Sequence, residues 1–178
     1  MTEVTDAMGR THRRKGARLT YDEARRLFHY DPDTGAISWA MGVSNRKIGD
    51  RAGKDAPQWG YRHIRVANRE YMEHRVIWLW MTGDWPPSEI DHRNCDGCDN
   101  RWANLRLASP SQNQANTRRR RDNTSGAKGV VRMRSKWAAR ITYNGRNIYI
   151  GTYASIAEAQ QAYAAKAIEL RGSFARIE

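Results

Sequence analysis

Apolar positions become dense only from Leu19 onward. Before it, residues 1–18 hold Arg10, Arg13, Arg14, Lys15 and Arg18 and little to bury, which predicts either a flexible basic arm that touches phosphate or a disordered, solvated end. Thr20-Tyr21-Asp22-Glu23 has the S/T-x-x-E form of a capping box and opens a short helix through Leu27 and Phe28. Asp31-Pro32-Asp33-Thr34-Gly35 is a turn sequence, and a strand over 36–40 follows. Residues 61–66 alternate like a half-buried strand. Tyr71, Val76, Ile77, Leu79 and Trp80 then suit a helix over 71–81, ended by Gly83 and Pro86-Pro87.

Further along, residues 89–92 and 105–108 form a strand and its return. Ser109-Pro110-Ser111-Gln112 is a strong helix start, with Ser at the cap, Pro in the first turn and Gln three residues on. The local order is therefore β-loop-β-α, with Asp91 and His92 on one strand and Asn113 in the first turn of the helix. Residues 117–126 contain Arg118, Arg119, Arg120 and Arg121 in succession and then polar and glycine residues, the best candidate linker. Beyond it come strands over 129–132, 137–143 and 147–153, with Asn144-Gly145 as a hairpin signal between the last two. Residues 155–171 read as an amphipathic helix ended by Gly172. The fold class is α+β.

Charge narrows the function. Among 178 residues, 31 Lys and Arg face 19 Asp and Glu, a net +12, which points first to nucleic acid. A mean hydropathy of −0.88 and a longest apolar run over 76–81 argue against a membrane protein. The polar start lacks the apolar stretch of a secretory signal, and two cysteines make no disulfide framework, so a reducing cytoplasm is expected.

Asp91 and Asn113 bring a carboxylate and an amide oxygen, hard donors suited to Mg²⁺ or Mn²⁺. His92 beside the carboxylate could take a proton from water. These are the parts for phosphodiester cleavage. The run Asp91-His92-Arg93-Asn94, then Asp99-Asn100-Arg101, then Asn104-Leu105-Arg106, then Ser109 to Asn113, resembles the HNH endonucleases of bacteriophages, specifically the homing type. The likeness extends upstream through Tyr30 to Gly35 and His74 to Trp78, and covers residues 19–116. It implies a ββα-metal domain with Asp91 and Asn113 as metal ligands and His92 as general base. It further implies that Asn104 ties the two strands and orients His92, and that Arg106 supports the loop or a phosphate. Asn100 and Arg101 read as loop structure, and His74 as a packed, hydrogen-bonded histidine. Cys95 and Cys98 are half of a zinc site, and the chain has no further cysteine to complete it, so the pair reads as ordinary loop residues.

Residues 127–178 resemble the APETALA2-like DNA-binding domain, three antiparallel strands on one helix. From Thr124 onward nine Lys and Arg face three Glu. One sheet face is expected to pack on the helix. The other is expected to show Arg132, Arg134, Lys136, Arg140 and Arg146 interleaved with Trp137 and Tyr149, for a DNA groove. At least one of the two aromatics could instead be needed in so small a core. Arg118 to Arg121 would track phosphate between the modules, the alternative being a solvated linker with incidental charge. The expectation is thus a Mg²⁺- or Mn²⁺-dependent nuclease acting on double-stranded DNA in the host cytoplasm, monomeric by preference. Two alternatives stay open: a sequence-preferring DNA-binding protein with an inactive nuclease domain, and a zinc-stabilised RNA-binding module.

Overall fold

The computed structural model describes residues 3–5, 11–13, 18–43, 45–56, 60–117 and 122–177. They divide into two compact units, Met1–Arg106 and Leu107–Glu178. In the first, β1 (Glu3–Thr5) pairs antiparallel with β2 (Thr11–Arg13), where residues 1–18 were expected to be open arm. Val4, Thr5 and Thr11 are β-branched and favour extended backbone.

Helix α1 (Tyr21–Leu27) opens on the expected capping box: Thr20 accepts from the Glu23 N–H, and Glu23 accepts from the Thr20 N–H at 2.8 Å. It stops one residue early, because Phe28 turns extended and starts β3 (Phe28–Asp31). A strand there buries Phe28 and Tyr30 by alternation, which a continued helix would not. Around the Asp31–Gly35 turn, β3 pairs with β4 (Ala36–Trp39), whose Ile37 and Trp39 face the same core.

A three-stranded antiparallel sheet comes next: β5 (Lys54–Ala56), β6 (Tyr61–Val66) and β7 (Arg69–Met72). Ala67 and Asn68, at φ 46° and 65°, make the two-residue turn whose twist suits a hairpin. Helix α2 (Glu73–Thr82) therefore begins two residues later than the apolar spacing predicts. Tyr71 belongs to the sheet, opposite Ile64, and its hydroxyl accepts the Leu19 N–H at 3.0 Å. Gly83, at φ 90°, ends α2. The core gathers Leu19, Phe28, Ile37, Trp39, Ile64, Val76, Ile77 and Leu79, and two indoles at its edge donate to backbone: Trp80 to Phe28 and Trp85 to Leu19. Strand β8 (Glu89–His92) pairs with β9 (Leu105–Ala108) across a loop and a 3₁₀ turn over Trp102–Asn104, at the bounds predicted from sequence.

In the second unit, α3 (Pro110–Ala115) carries the complete Ser109–Gln112 capping box. The division of the chain falls within β9, and the end of α3 is tied to Lys128. Its Nζ bonds the carbonyls of Ala115 and Thr117. Arg118 to Arg121 lie outside the described residues. Strands β10 (Val130–Met133), β11 (Lys136–Tyr143) and β12 (Arg146–Tyr153) form one antiparallel sheet, with Asn144-Gly145 at positive φ in the predicted turn. Helix α4 (Ile156–Arg171) sets Ala159, Tyr163 and Ala167 on Val130, Ala139 and Ile141.

Gly129 lets this helix approach: at φ 72°, a Cβ would lie 2.2 Å from the Tyr163 ring and 2.6 Å from the Arg140 carbonyl oxygen. Gly129→Ala is expected to cost about 2–4 kcal/mol, from left-handed strain plus overpacking, read by urea denaturation. Gly145→Ala has open space at its Cβ and should cost less. No helix among the described residues is long and apolar enough to cross a membrane.

Candidate functional site

Successive residues of a strand face opposite sides, so Asp91 and His92 meet different neighbours although both are buried, at 3% and 4% exposure. Asp91 meets Arg106 from the returning strand: Nε and Nη2 each lie 2.7 Å from the same oxygen, Oδ2. Arg106 is itself buried against Asp91. His92 lies in an aromatic nest, its ring centre 5.7 Å from that of Tyr61 and 5.1 Å from that of His74. Its Nε2 is 2.9 Å from Asn100 Oδ1.

The loop between β8 and β9 is held by its own side chains. Asn104 closes it: Oδ1 accepts the Asn94 N–H, while Nδ2 donates to Asn94 Oδ1 and to the Asp99 carbonyl at 2.7 Å. The Asn104 backbone carbonyl also takes the Arg93 N–H. The side chain that meets His92 is that of Asn100, which sequence reasoning treated as loop structure. Arg101 grips both oxygens of Asp99 at 2.8 and 2.6 Å and holds that carboxyl down at about 2.

Asn100 is 1% exposed, and its Nδ2 donates to Glu73 Oε1 at 3.0 Å. Glu73, at the head of α2, is fully buried and also receives Arg51 Nη2 at 3.0 Å and Arg62 Nε at 3.1 Å. The sequence offers one faint signal for this cluster: Glu73 stands at the front of an apolar helix, where a carboxylate is either solvated or paired.

His74 is packed as expected, but among the described residues its Nδ1 has no hydrogen-bond partner. Burial, and then the charges of His92, Arg75 and His63, push it down to about 3. The folded protein thus keeps His74 neutral, while an unfolded chain protonates it below about 6.5. Stability should fall by about 2 kcal/mol between pH 7 and pH 5 from this residue, and His74→Phe should flatten that part of the denaturation profile.

Asn113 sits half-buried on α3 with its N–H donated to the Ser109 carbonyl. Cys95 is half-buried and Cys98 exposed. Burial, with Asp96, pushes the Cys98 thiol up, which disfavours the thiolate that zinc requires. Among the described residues no three His, Cys, Asp or Glu gather as a metal-holding group.

In the second unit, cross-strand register divides the residues expected on one face. Arg132, Trp137 and Tyr153 are directly paired neighbours. Trp137 packs on the core beneath α4, with Arg132 over its ring at 5.5 Å. A bulge leaves Ile150 without an opposite residue between Ala139↔Gly151 and Arg140↔Tyr149, which restores alternation so that Arg140 and Tyr149 share the solvent face. Lys136, two residues before the buried Ala138, is exposed beside Met133. Arg134 occupies the β10–β11 turn at φ 55°, and Arg146 the far end of β12.

A family model described as HNH endonuclease matches residues 71–115. That span runs from Tyr71 through α2, β8 and β9 to the last residue of α3. It includes Glu73, Asp91, His92, Asn100, Asn104, Arg106 and Asn113. This segment is therefore similar to HNH endonucleases, a likeness that suggests nuclease chemistry. No curated protein matches the chain.

Proposed function

We propose that this protein is a divalent-metal-dependent DNA endonuclease of the phage HNH homing type, with Asp91, His92 and Asn113 at its centre. The observation that carries this reading is the pair Asp91-His92, buried on one strand and each held by a hydrogen-bonded partner, inside the segment that matches the HNH family. His92 takes a proton from water, and the resulting hydroxide attacks phosphorus. The P–O bond to the sugar breaks, and the departing oxygen takes up a proton from solvent.

Asp91 and Asn113 would hold the metal, and the donor chemistry fits: one carboxylate oxygen and one amide oxygen, hard ligands for Mg²⁺ or Mn²⁺. A bound divalent ion supplies charge neutralisation at the phosphate and stabilises the leaving oxygen. Arg106 fixes the Asp91 carboxylate from one side, so the ligand is oriented before any ion arrives. Asn104 keeps the β8–β9 loop closed around the strand that carries both groups.

The second unit is the DNA-targeting module in this reading. Three antiparallel strands on one helix, with Lys136, Arg140 and Tyr149 exposed, support an APETALA2-like assignment and a duplex DNA partner. Supercoiled plasmid incubated with the protein, with and without Mg²⁺ and beside His92→Ala, tests the whole proposal. Mg²⁺-dependent relaxation or linearisation, lost in His92→Ala, is expected. DNA binding without cleavage by the parent would leave the inactive-nuclease alternative.

A further inference from the structure

Glu73 is a fully buried carboxylate that phosphodiester hydrolysis does not call upon, and it is built in with unusual care. A Cβ on Gly53 would fall 1.6 Å from Glu73 Oε2, so that glycine leaves the room the carboxylate occupies. Gly35, at the β3–β4 turn, comes so close to Asn100 that a Cβ would lie 2.6 Å from its carbonyl carbon and 2.5 Å from Arg101 N. The Tyr30 hydroxyl donates to the Asn100 carbonyl at 2.8 Å. Elements from 70 residues upstream therefore converge on one asparagine of the loop.

Hydrogen-bond logic then runs in one direction. Arg51 donates to Glu73 Oε1 and Arg62 to Oε2, so both oxygens act as acceptors. The Asn100 group facing it must therefore be the NH₂, which turns Oδ1 toward His92. An amide oxygen also only accepts, so the His92 nitrogen 2.9 Å away must carry hydrogen. We infer that Asn100 and Glu73 are positioning residues that fix the His92 ring with its proton on Nε2. The kinetic consequence rests on His92 being the general base of the proposed nuclease; the tautomer does not.

A merely structural role predicts something different. Arg51 and Arg62 already balance Glu73, and removing the Asn100 amide would then change melting while leaving the imidazole as it was. The test uses the ¹⁵N-labelled full chain at one neutral pH, with His92 assigned among the five histidines by His92→Gln. The parent is expected to show a slowly exchanging, downfield Nε2–H at His92. Asn100→Ala should lose that signal and lower kcat on the order of 10²-fold with KM within about threefold, since orientation and proton position are what the amide supplies. Glu73→Gln, close in shape, frees the amide to turn and should weaken the signal and lower kcat by a smaller factor, about tenfold. An Nδ1–H tautomer in the parent would overturn the inference. So would an Nε2–H signal and kcat that both survive in Asn100→Ala. Should His92→Ala cut DNA as the parent does, the nuclease reading of His92 falls, while the spectrum still decides the tautomer.

Discussion

Asp91→Asn is expected to fold, to bind DNA and to cut it at least about 10³-fold more slowly than the parent, because one hard anionic donor is gone while the shape stays. Asp91→Ala should be equally inactive but harder to interpret. It removes the counter-charge from the buried Arg106, and losing one partner of such a pair costs about 3–5 kcal/mol. Asn keeps an oxygen for the guanidinium, so the loss in that variant belongs to chemistry rather than to folding. His92→Ala should slow cutting about 10²–10⁴-fold, the usual worth of a general base. Melting temperature, DNA affinity and plasmid nicking measured together separate these effects. Full activity of the parent in excess chelator would count against the metal reading outright.

Replacing Lys136, Arg140 and Tyr149 together with Ser should weaken DNA binding on the order of 10²-fold, as groove contacts are each worth about 1–3 kcal/mol and add imperfectly. All three are exposed, and the bulge at Ile150 places Tyr149 opposite Arg140 on the solvent face. The two charges should lower the magnitude of the salt slope by about two units. Replacing Arg132 instead should alter stability more than affinity, since its guanidinium lies over Trp137, which packs on the core beneath α4. Filter binding across a salt series reads both. Equal losses from Arg132 and from the outer set would mean that DNA is gripped by the sheet's edge and turns rather than by its open face.

Local signals are legible where one short stretch of chain satisfies itself. Both capping boxes, the Asp31–Gly35 turn, the Asn144-Gly145 hairpin and the limits of β8 and β9 need only neighbours within a few residues. Expectation and structure part where a residue answers to a distant one. Phe28 and Tyr71 carry apolar spacing that suits a helix, yet both lie in strands, because Trp39 and Ile64 stand opposite them. Strand β5, only three residues long and mostly charged, has no periodicity to find.

The candidate site divides in the same way. Asp91, His92 and Asn113 stand out in the sequence by residue type and spacing and Asn104 by the family resemblance, and the strand pair and capped helix that order them along the chain lie where the sequence places them. That Arg106 belongs to Asp91, that Asn100 rather than Asn104 meets His92, and that Glu73 stands behind Asn100 were decided only in three dimensions. Those pairings cross 15 to 27 residues of chain or reverse direction within a loop. No periodicity encodes them, because a buried polar group chooses its partner by direction and distance once packing has removed water from both. The sequence by itself determined which candidate groups are present; tertiary packing determined which hydrogen-bond partner each group meets.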